Sequence, residues 1–452
     1  MRIAVIGAGV AGLAAGYRLL QKGHDVTIVE AGPFVGGQVR TFETGGDRLE
    51  AFYHHLFKSD TSVINLIEEL GLGDDLRWVE SKVGFFHSGR IYNFVTPGDL
   101  LRFKPVPLAD RIRLGLAALY LRRQKDWTRY EDITAKDWIV RHVGARAYEA
   151  VWGPLLRGKY GVFADEVGMT WFWGKIFLRF ASRDGGVTSR EELGYLLGSF
   201  GRYIEALRTR IESLGGEIML KAPVERVRVV GQQAIGLSIG GDKAGDRDFD
   251  AVLATVPNKF FLKMVPELPE SYAATLQGVR YQWASCLVLA LSRPLSHIYW
   301  LNISAPDVPF VAVVEQTNFI PAERYDGKHY VYFSNYVSED DPILDMDVDD
   351  ALASYLPHIK RINPEFSDDW IVEKHFFKDP AGQPIITRNY SRNIPDHRTP
   401  LAGLYLANTT QIYPEDRGQN YSILMGERMA DVIDDDLSGK PQTPVGRVGS
   451  RL

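Results

Sequence analysis

The residues with the clearest chemical purpose are Gly7, Gly9 and Gly12, spaced as Gly-x-Gly-x-x-Gly directly after the apolar run 3–6, with Glu30 closing a second apolar run 25–29. This spacing predicts a strand, a glycine turn, an Ala/Leu-rich helix and a strand that ends in an acid. Gly7 permits the tight turn, Gly9 lets the backbone approach a pyrophosphate, and Gly12 lets helix and strand pack closely. The helix N-terminus, with Val10 and Ala11 in its first turn, then offers unpaired N–H groups and a positive dipole end to phosphate. Glu30, followed by Ala31, is placed to accept hydrogen bonds from ribose hydroxyls. The chemistry expected of this unit is dinucleotide binding.

The next residues narrow the dinucleotide. After Glu30 comes Gly36-Gly37-Gln38-Val39-Arg40-Thr41. A unit for a diffusible nicotinamide has no use for a second glycine pair at this point. Here the pair supplies a second close backbone approach, and Arg40 a cation, for one diphosphate. With these motifs the chain resembles the superfamily of FAD-dependent amine oxidases and protoporphyrinogen oxidases, which includes phytoene desaturases and UDP-galactopyranose mutases. The resemblance implies FAD. Relatives carry an arginine directly after the glycine pair, where this chain has Gln38, so the phosphate role passes to Arg40.

Two further stretches extend the resemblance. Residues 195–230 read as a Gly-rich entry, a helix, Gly215-Gly216 and a strand, after which Val224 matches the residue that contacts the adenine end through its backbone. Residues 250–257, with Thr255, form another buried run, where the family returns its chain past the dinucleotide. Residues 403–408 read as a strand and 418–433 as a helix with small residues at its start. The resemblance implies that this helix N-terminus points at the flavin pyrimidine and stabilises negative charge there. Gln419, Asn420 and Tyr421 open that helix. Relatives carry Gly-Asp where this chain has Asn408-Thr409, so the ribityl contact falls to Asn408 or Thr409.

The elements between must position a substrate. Residues 60–71 predict a short helix capped by Asp60 and ended by Gly71, and 84–95 a hairpin turning on Ser88-Gly89-Arg90. Residues 101 to about 180 read as mainly helical, and four alternating stretches between 285 and 377 as an antiparallel sheet. The expected fold is α/β: a discontinuous Rossmann-type FAD-binding domain (1–80, 194–258, 396–436), a helical insertion (81–193), an antiparallel-sheet substrate domain (259–395) and a disordered tail (437–452).

Catalytic candidates are few, because the cofactor carries redox chemistry. Adjacent His54 and His55 on an extended segment point to opposite faces, so one of them faces the flavin as a proton donor or acceptor. The alternative is a structural histidine bonded to backbone. Arg417, with Glu415-Asp416, either binds an anionic or hydroxylated substrate or forms a local salt bridge. Trp171, Phe172, Trp173, Phe177 and Phe180 either line a tunnel for a bulky apolar substrate or fill a core. Tyr413 and Tyr421 are the available members of an amine-oxidase aromatic cage, and no Trp lies near them in sequence.

Composition bounds the rest. The 452 residues are 45% hydrophobic and 24% charged with net charge −5, which gives no nucleic-acid footprint. Cys286 is the only cysteine, so neither a disulfide framework nor a metal site is expected. A first strand starting at residue 2 leaves no room for a targeting segment, and the expected location is cytoplasmic. Residues 101–125 hold seven basic residues and one acid among Leu, Ile and Ala. They read either as a helix lying peripherally on the inner membrane face or as a solvated helix with a core face. Three activities stay open. The first is an FAD-dependent oxidoreductase taking a hydride from a small apolar or amphipathic molecule to flavin N5. The second is a sugar-nucleotide mutase or polyprenoid desaturase. The third is a binding protein like the GDP-dissociation inhibitors. Oligomeric state is not readable.

Overall fold

The computed structural model describes residues 1–181 and 191–440. The side chains of 178–181 also fall outside the description, and with them Arg179 and Phe180; the expected tail lies outside it from residue 441.

The apolar runs that carry the glycine motifs form one five-stranded parallel sheet. Its order is Leu404–Leu406, Ala251–Ala254, Arg2–Ile6, Asp25–Val29, Glu217–Met219. Three widely separated parts of the chain meet here. These strands are near-continuous Val/Ile/Leu/Ala because both faces of a parallel sheet are covered. The helices Val10–Gln21, Gly201–Ser213 and Gln419–Leu437 cover one face, and the first and last pack tightly together. A Cβ on Gly426 would sit 2.3 Å from the Ala11 carbonyl, so only glycine permits that approach. Arg18 locks the same contact, bonding both Glu69 oxygens at 2.7 Å and Glu427 at 2.7 Å.

A three-stranded antiparallel sheet starts at Val224 and covers the other side. The large sheet has seven strands, in the order Ile371–Pro384, Tyr281–Leu291, His329–Val337, Ala312–Glu315, Trp300–Ile303, Val83–His87, Arg90–Asn93. Only the pairing of Trp300–Ile303 with Val83–His87 is parallel. The hairpin turns on Ser88 and Gly89, both with φ positive (49° and 75°), as a two-residue turn joining right-twisted strands requires. The alternating stretches are strands of this sheet. The strand Trp300–Ile303 and the helix Val348–Ile362 carried signals that the sequence analysis passed over. Asp347 caps that helix by accepting from Asp349 and Asp350 N–H, and its Leu352, Tyr355, Ile359 and Ile362 form the buried face.

Residues 97–181 are mainly helical and own a separate core that includes Tyr148, Tyr160, Trp171 and Trp173. Trp171, Phe172 and Trp173 are 6%, 4% and 0% exposed and Phe177 packs against them, so these aromatics fill a core instead of lining a tunnel. Helical spacing alone could not separate the two. The C-terminal helix runs through Leu437, the residue at which the tail was expected to start. Among the described residues no helix is long and apolar enough to cross a membrane.

Candidate functional site

A cavity of about 290 Å³ runs from the glycine turn to the edge of the large sheet. Its first wall follows from backbone geometry. Gly7 has φ +103°, and its N–H donates to Val29 O. A Cβ on Gly12 would lie 2.0 Å from the Gly7 carbonyl, whereas one on Gly9 would meet nothing within 4 Å. Gly12 therefore serves packing and Gly9 leaves open space toward the cavity. The N–H groups of the first helical turn have no intrahelical acceptors. Gly36 and Gly37, at φ +101° and +57°, fold back on this turn, with Gly36 N–H donating to Ala8 O at 2.7 Å. Glu30 accepts from Ala8 N–H and Gly32 N–H at 2.9 and 2.7 Å, which fixes its carboxylate at the cavity wall.

The cavity brings together Gly7, Gly9, Val10, Ala11, Glu30, Gly36, Gly37, Gln38, Val39, Arg40, His54, Thr255, Asn408, Arg417 and Gln419. Ala31, Val224, His55, Asn420 and Tyr421 do not line it. Ala31 is exposed. Val224 is 8% exposed and packs in the core beneath the small sheet. Asn420 Oδ1 accepts from Ser62 and Val63 N–H at 2.8 and 3.3 Å, so it, and not Asp60, caps the helix Thr61–Glu69. Asp60 instead accepts from Phe57 N–H. Tyr413 is buried, bonds Glu131 and stands edge-on to Trp127, so it belongs to the helical core and builds no cage over the cavity.

Two polar groups decide how well a dinucleotide fits. Asn408 is fully committed: Oδ1 accepts from Thr410 N–H and Oγ–H, and Nδ2 donates to Val256 O and Asn258 Oδ1. It shapes the loop instead of reaching outward, and Thr409 is the half-buried neighbour beside it on the cavity wall. Gln419 does the opposite. It is 6% exposed, its Oε1 accepts from Tyr203 OH at 2.6 Å, and its Nε2 is buried with no partner. An orphaned donor on the cavity wall, at the start of a 19-residue helix, suits an acceptor on a bound group. The residues present thus fit a phosphate group at one end and a polar ring edge at the other.

At the far end stand His54 and Arg417. His54 Nδ1 donates to Phe52 O at 2.6 Å, which leaves Nε2 as the acceptor. Burial, reinforced by Arg417 and opposed by the Phe52 carbonyl, pushes its pKa down to about 4, so the ring is neutral at neutral pH. His55 faces the other way and its Nδ1 meets Tyr299 OH at 3.1 Å. The guanidinium of Arg417 donates to Gln383 Oε1, Gln38 Oε1 and Tyr336 OH, each at 3.2 Å. Asp416 turns away from it toward Lys159 and Lys175, at 2.8 and 2.5 Å, and accepts from Trp171 Nε1. Burial opposes its ionisation, but the two lysines outweigh burial and hold it well below the carboxylate range. Glu415, beside it, is pushed up to about 7 by burial and has an unpartnered Oε2. Lys159, Tyr336 and Gln383 carried no sequence signal, because nothing in a local pattern tells which strand or helix residue meets Arg417 or Asp416.

Known proteins supply the remaining comparison. Residues 10–433 match the model of the family described as flavin containing amine oxidoreductase. The chain is 23% identical to a 15-cis-phytoene desaturase of an Oncidium hybrid cultivar, over 99% of this chain and 80% of that one. It is 22% identical to a probable zeta-carotene desaturase of Synechococcus elongatus, covering 90% and 93%. The fold is shared with a putative protoporphyrinogen oxidase from Exiguobacterium sp. 255-15 (TM-score 0.75, 18% identity, 96% and 99% covered). It is shared equally with a reduced UDP-galactopyranose mutase (TM-score 0.76, 15% identity, 99% and 98% covered). With the match running from the first helix to the last and the glycine turns meeting on one cavity, the chain belongs to the flavin-containing amine oxidoreductase family and is a flavin-dependent oxidoreductase.

Proposed function

We infer that the protein holds FAD along this cavity and removes a hydride from an apolar or amphipathic organic molecule. The observation that carries this reading is the continuity of the cavity from Gly9 and Glu30 to His54 and Arg417. The first-turn N–H groups, Gly36-Gly37 and Arg40 would hold the diphosphate, Glu30 the adenosine ribose, and Thr409 and Gln419 the far half. When bound, FAD supplies a two-electron acceptor for hydride. The protein's own part is to orient the donor carbon and keep out water, with neutral His54 Nε2 available to accept a hydrogen bond or a proton. The phytoene and zeta-carotene desaturase relatives favour a large apolar skeleton over a small amine. Purified protein is expected to be yellow and to bleach when an oxidisable substrate is added without oxygen. Screening polyprenoids, porphyrinogens and amines anaerobically by absorption checks this. A protein that takes up no FAD on reconstitution contradicts the reading, and turnover that needs pre-reduced flavin with no net redox change replaces it with the mutase.

The helix Leu108–Arg123 supports delivery of such a molecule from a lipid surface. Leu108, Ile112, Leu116 and Tyr120 recur every fourth residue and are 57%, 50%, 60% and 43% exposed. Arg102, Lys104, Arg113, Arg123 and Lys125 are exposed around them. An apolar stripe bordered by cations fits an anionic bilayer interface. The protein should co-sediment with phosphatidylglycerol vesicles and several-fold less with phosphatidylcholine ones. An Ile112→Glu/Leu116→Glu variant should stay in the supernatant, and equal pelleting of variant and wild type would remove this helix from the contact.

A further inference from the structure

The cations in and around the cavity are not equivalent. Lys159 and Lys175 share the carboxylate of Asp416. Arg40 faces Asp379 at 3.9 Å, and Asp379 also accepts from Gln38 Nε2 and Ala381 N–H. Arg417 has no carboxylate within 4 Å among the described residues. Its three acceptors, Gln38, Gln383 and Tyr336, are all neutral. Asp416 and Asp379 act on this guanidinium only from beyond ion-pair distance, and a half-buried guanidinium with no directly paired carboxylate is completed by a ligand that brings one. Five N–H groups with three used leave one on each terminal nitrogen. Those two nitrogens are the fork that a planar carboxylate engages.

The surroundings fix the fork in place. Gln38 comes from the glycine-pair loop, Tyr336 and Gln383 from two strands of the large sheet, and the Tyr336 ring lies 6.0 Å from the Arg417 guanidinium. Lys159 Nζ also lies 5.8 Å from the centre of that ring, so a second positive charge stands near the first. His54, kept neutral, adds no competing anion or cation. A hydrocarbon passing this point would leave the charge unsatisfied.

We propose that Arg417, aligned by Gln38, Gln383 and Tyr336 and backed by Lys159, recognises a carboxylate on the substrate, so that the substrate is an amphipath with an acidic head. This assignment rests on the reading above that an organic substrate enters this end of the cavity. It separates the chain's substrate from the pure hydrocarbons named for its desaturase relatives. Arg417 is then the residue that sets specificity, and Lys159 a positioning residue that strengthens the local field.

The test is calorimetric titration of the purified protein, its flavin content measured in parallel, with octanoate, 1-octanol and inorganic phosphate. Octanoate is expected to bind at least tenfold more tightly than octanol. Arg417→Gln should abolish that preference, Arg417→Lys should lower it because an ammonium lacks the fork, and Lys159→Met should reduce it several-fold. Equal binding of octanoate and octanol overturns the proposal, as does a preference that survives Arg417→Gln. Phosphate binding tenfold tighter than octanoate also overturns it, in favour of a phosphorylated substrate. Because heat of binding is read without turnover, a colourless protein that still prefers octanoate refutes the flavin reading alone.

Discussion

A Gly12→Ala protein is expected to lose both stability and flavin, whereas Gly9→Ala should keep the first and lose the second. The two glycines belong to one motif but meet different surroundings. At Gly12 an added methyl lies 2.0 Å from the Gly7 carbonyl and 3.0 Å from Thr255 Oγ1, so the turn itself must move. Overpacking of this kind costs roughly 3 kcal/mol. The gain of about 1 kcal/mol from alanine in a helix offsets only part of it. At Gly9 the methyl meets no protein atom within 4 Å and φ is an ordinary −72°, so the apoprotein has no reason to change. The space it would occupy is the cavity wall where the proposed diphosphate approaches the backbone. Thermal unfolding and flavin-to-protein ratio, measured on both variants, check the contrast. Equal loss of melting temperature in the two would show that Gly9 is also a packing glycine.

The second large effect concerns Glu50, at the end of the strand Leu49–Glu50, whose carboxyl is buried against the segment 195–200. It accepts from Phe200 N–H at 2.6 Å and Tyr195 OH at 2.9 Å, and burial outweighs these bonds, raising its pKa to about 7. The unfolded chain gives up this proton near 4.5. The folded state therefore holds the proton through the window from about 4.5 to 7, and its stability falls as pH rises through that window. The full swing is on the order of 3 kcal/mol. Glu315 and Glu415, also raised to about 7 by burial, slope the same way, so the wild type alone does not isolate Glu50. Glu50→Gln does. Its amide can accept from Phe200 N–H and donate to the Tyr195 oxygen, as the protonated acid would. The variant is expected to match wild type near pH 5 and to exceed it by pH 8. A difference in melting temperature that stays constant from pH 5 to 8 would mean that Glu50 titrates at its ordinary value.

Particular residues show where sequence was enough. The turn Gly7–Gly12, the acid at Glu30 and the pair Gly36-Gly37 were readable because each depends on backbone geometry within a few residues. A φ of +103° at Gly7 or a 2.0 Å approach at Gly12 restricts residue type directly, and the restriction shows in the sequence. The alternating stretches between 285 and 377 were readable for a similar reason, since strand periodicity records which face is buried. The C-terminal helix announced itself through its small first residues, although its end lay four residues beyond the expected Ile433.

Side-chain roles inside those elements were another matter. Asn420 sits one residue from Gln419, yet one caps a helix at Ser62 and the other presents an unpartnered amide to the cavity. Of Asn408 and Thr409, either of which was expected to reach the ligand, Asn408 spends its hydrogen bonds on Thr410 and on Val256 and Asn258. Trp171 suited a tunnel and a core equally well on a helical wheel, and packing made it core.

The sequence by itself thus determined that a parallel sheet with these glycine turns forms and where the turns lie, because local dihedral limits and residue period are written along the chain. Only the tertiary structure decided what stands at the other end of the cavity. Arg417 meets Gln38 across 379 residues and Tyr336 across 81, contacts set by sheet register and helix packing that leave no periodic trace in the residues themselves.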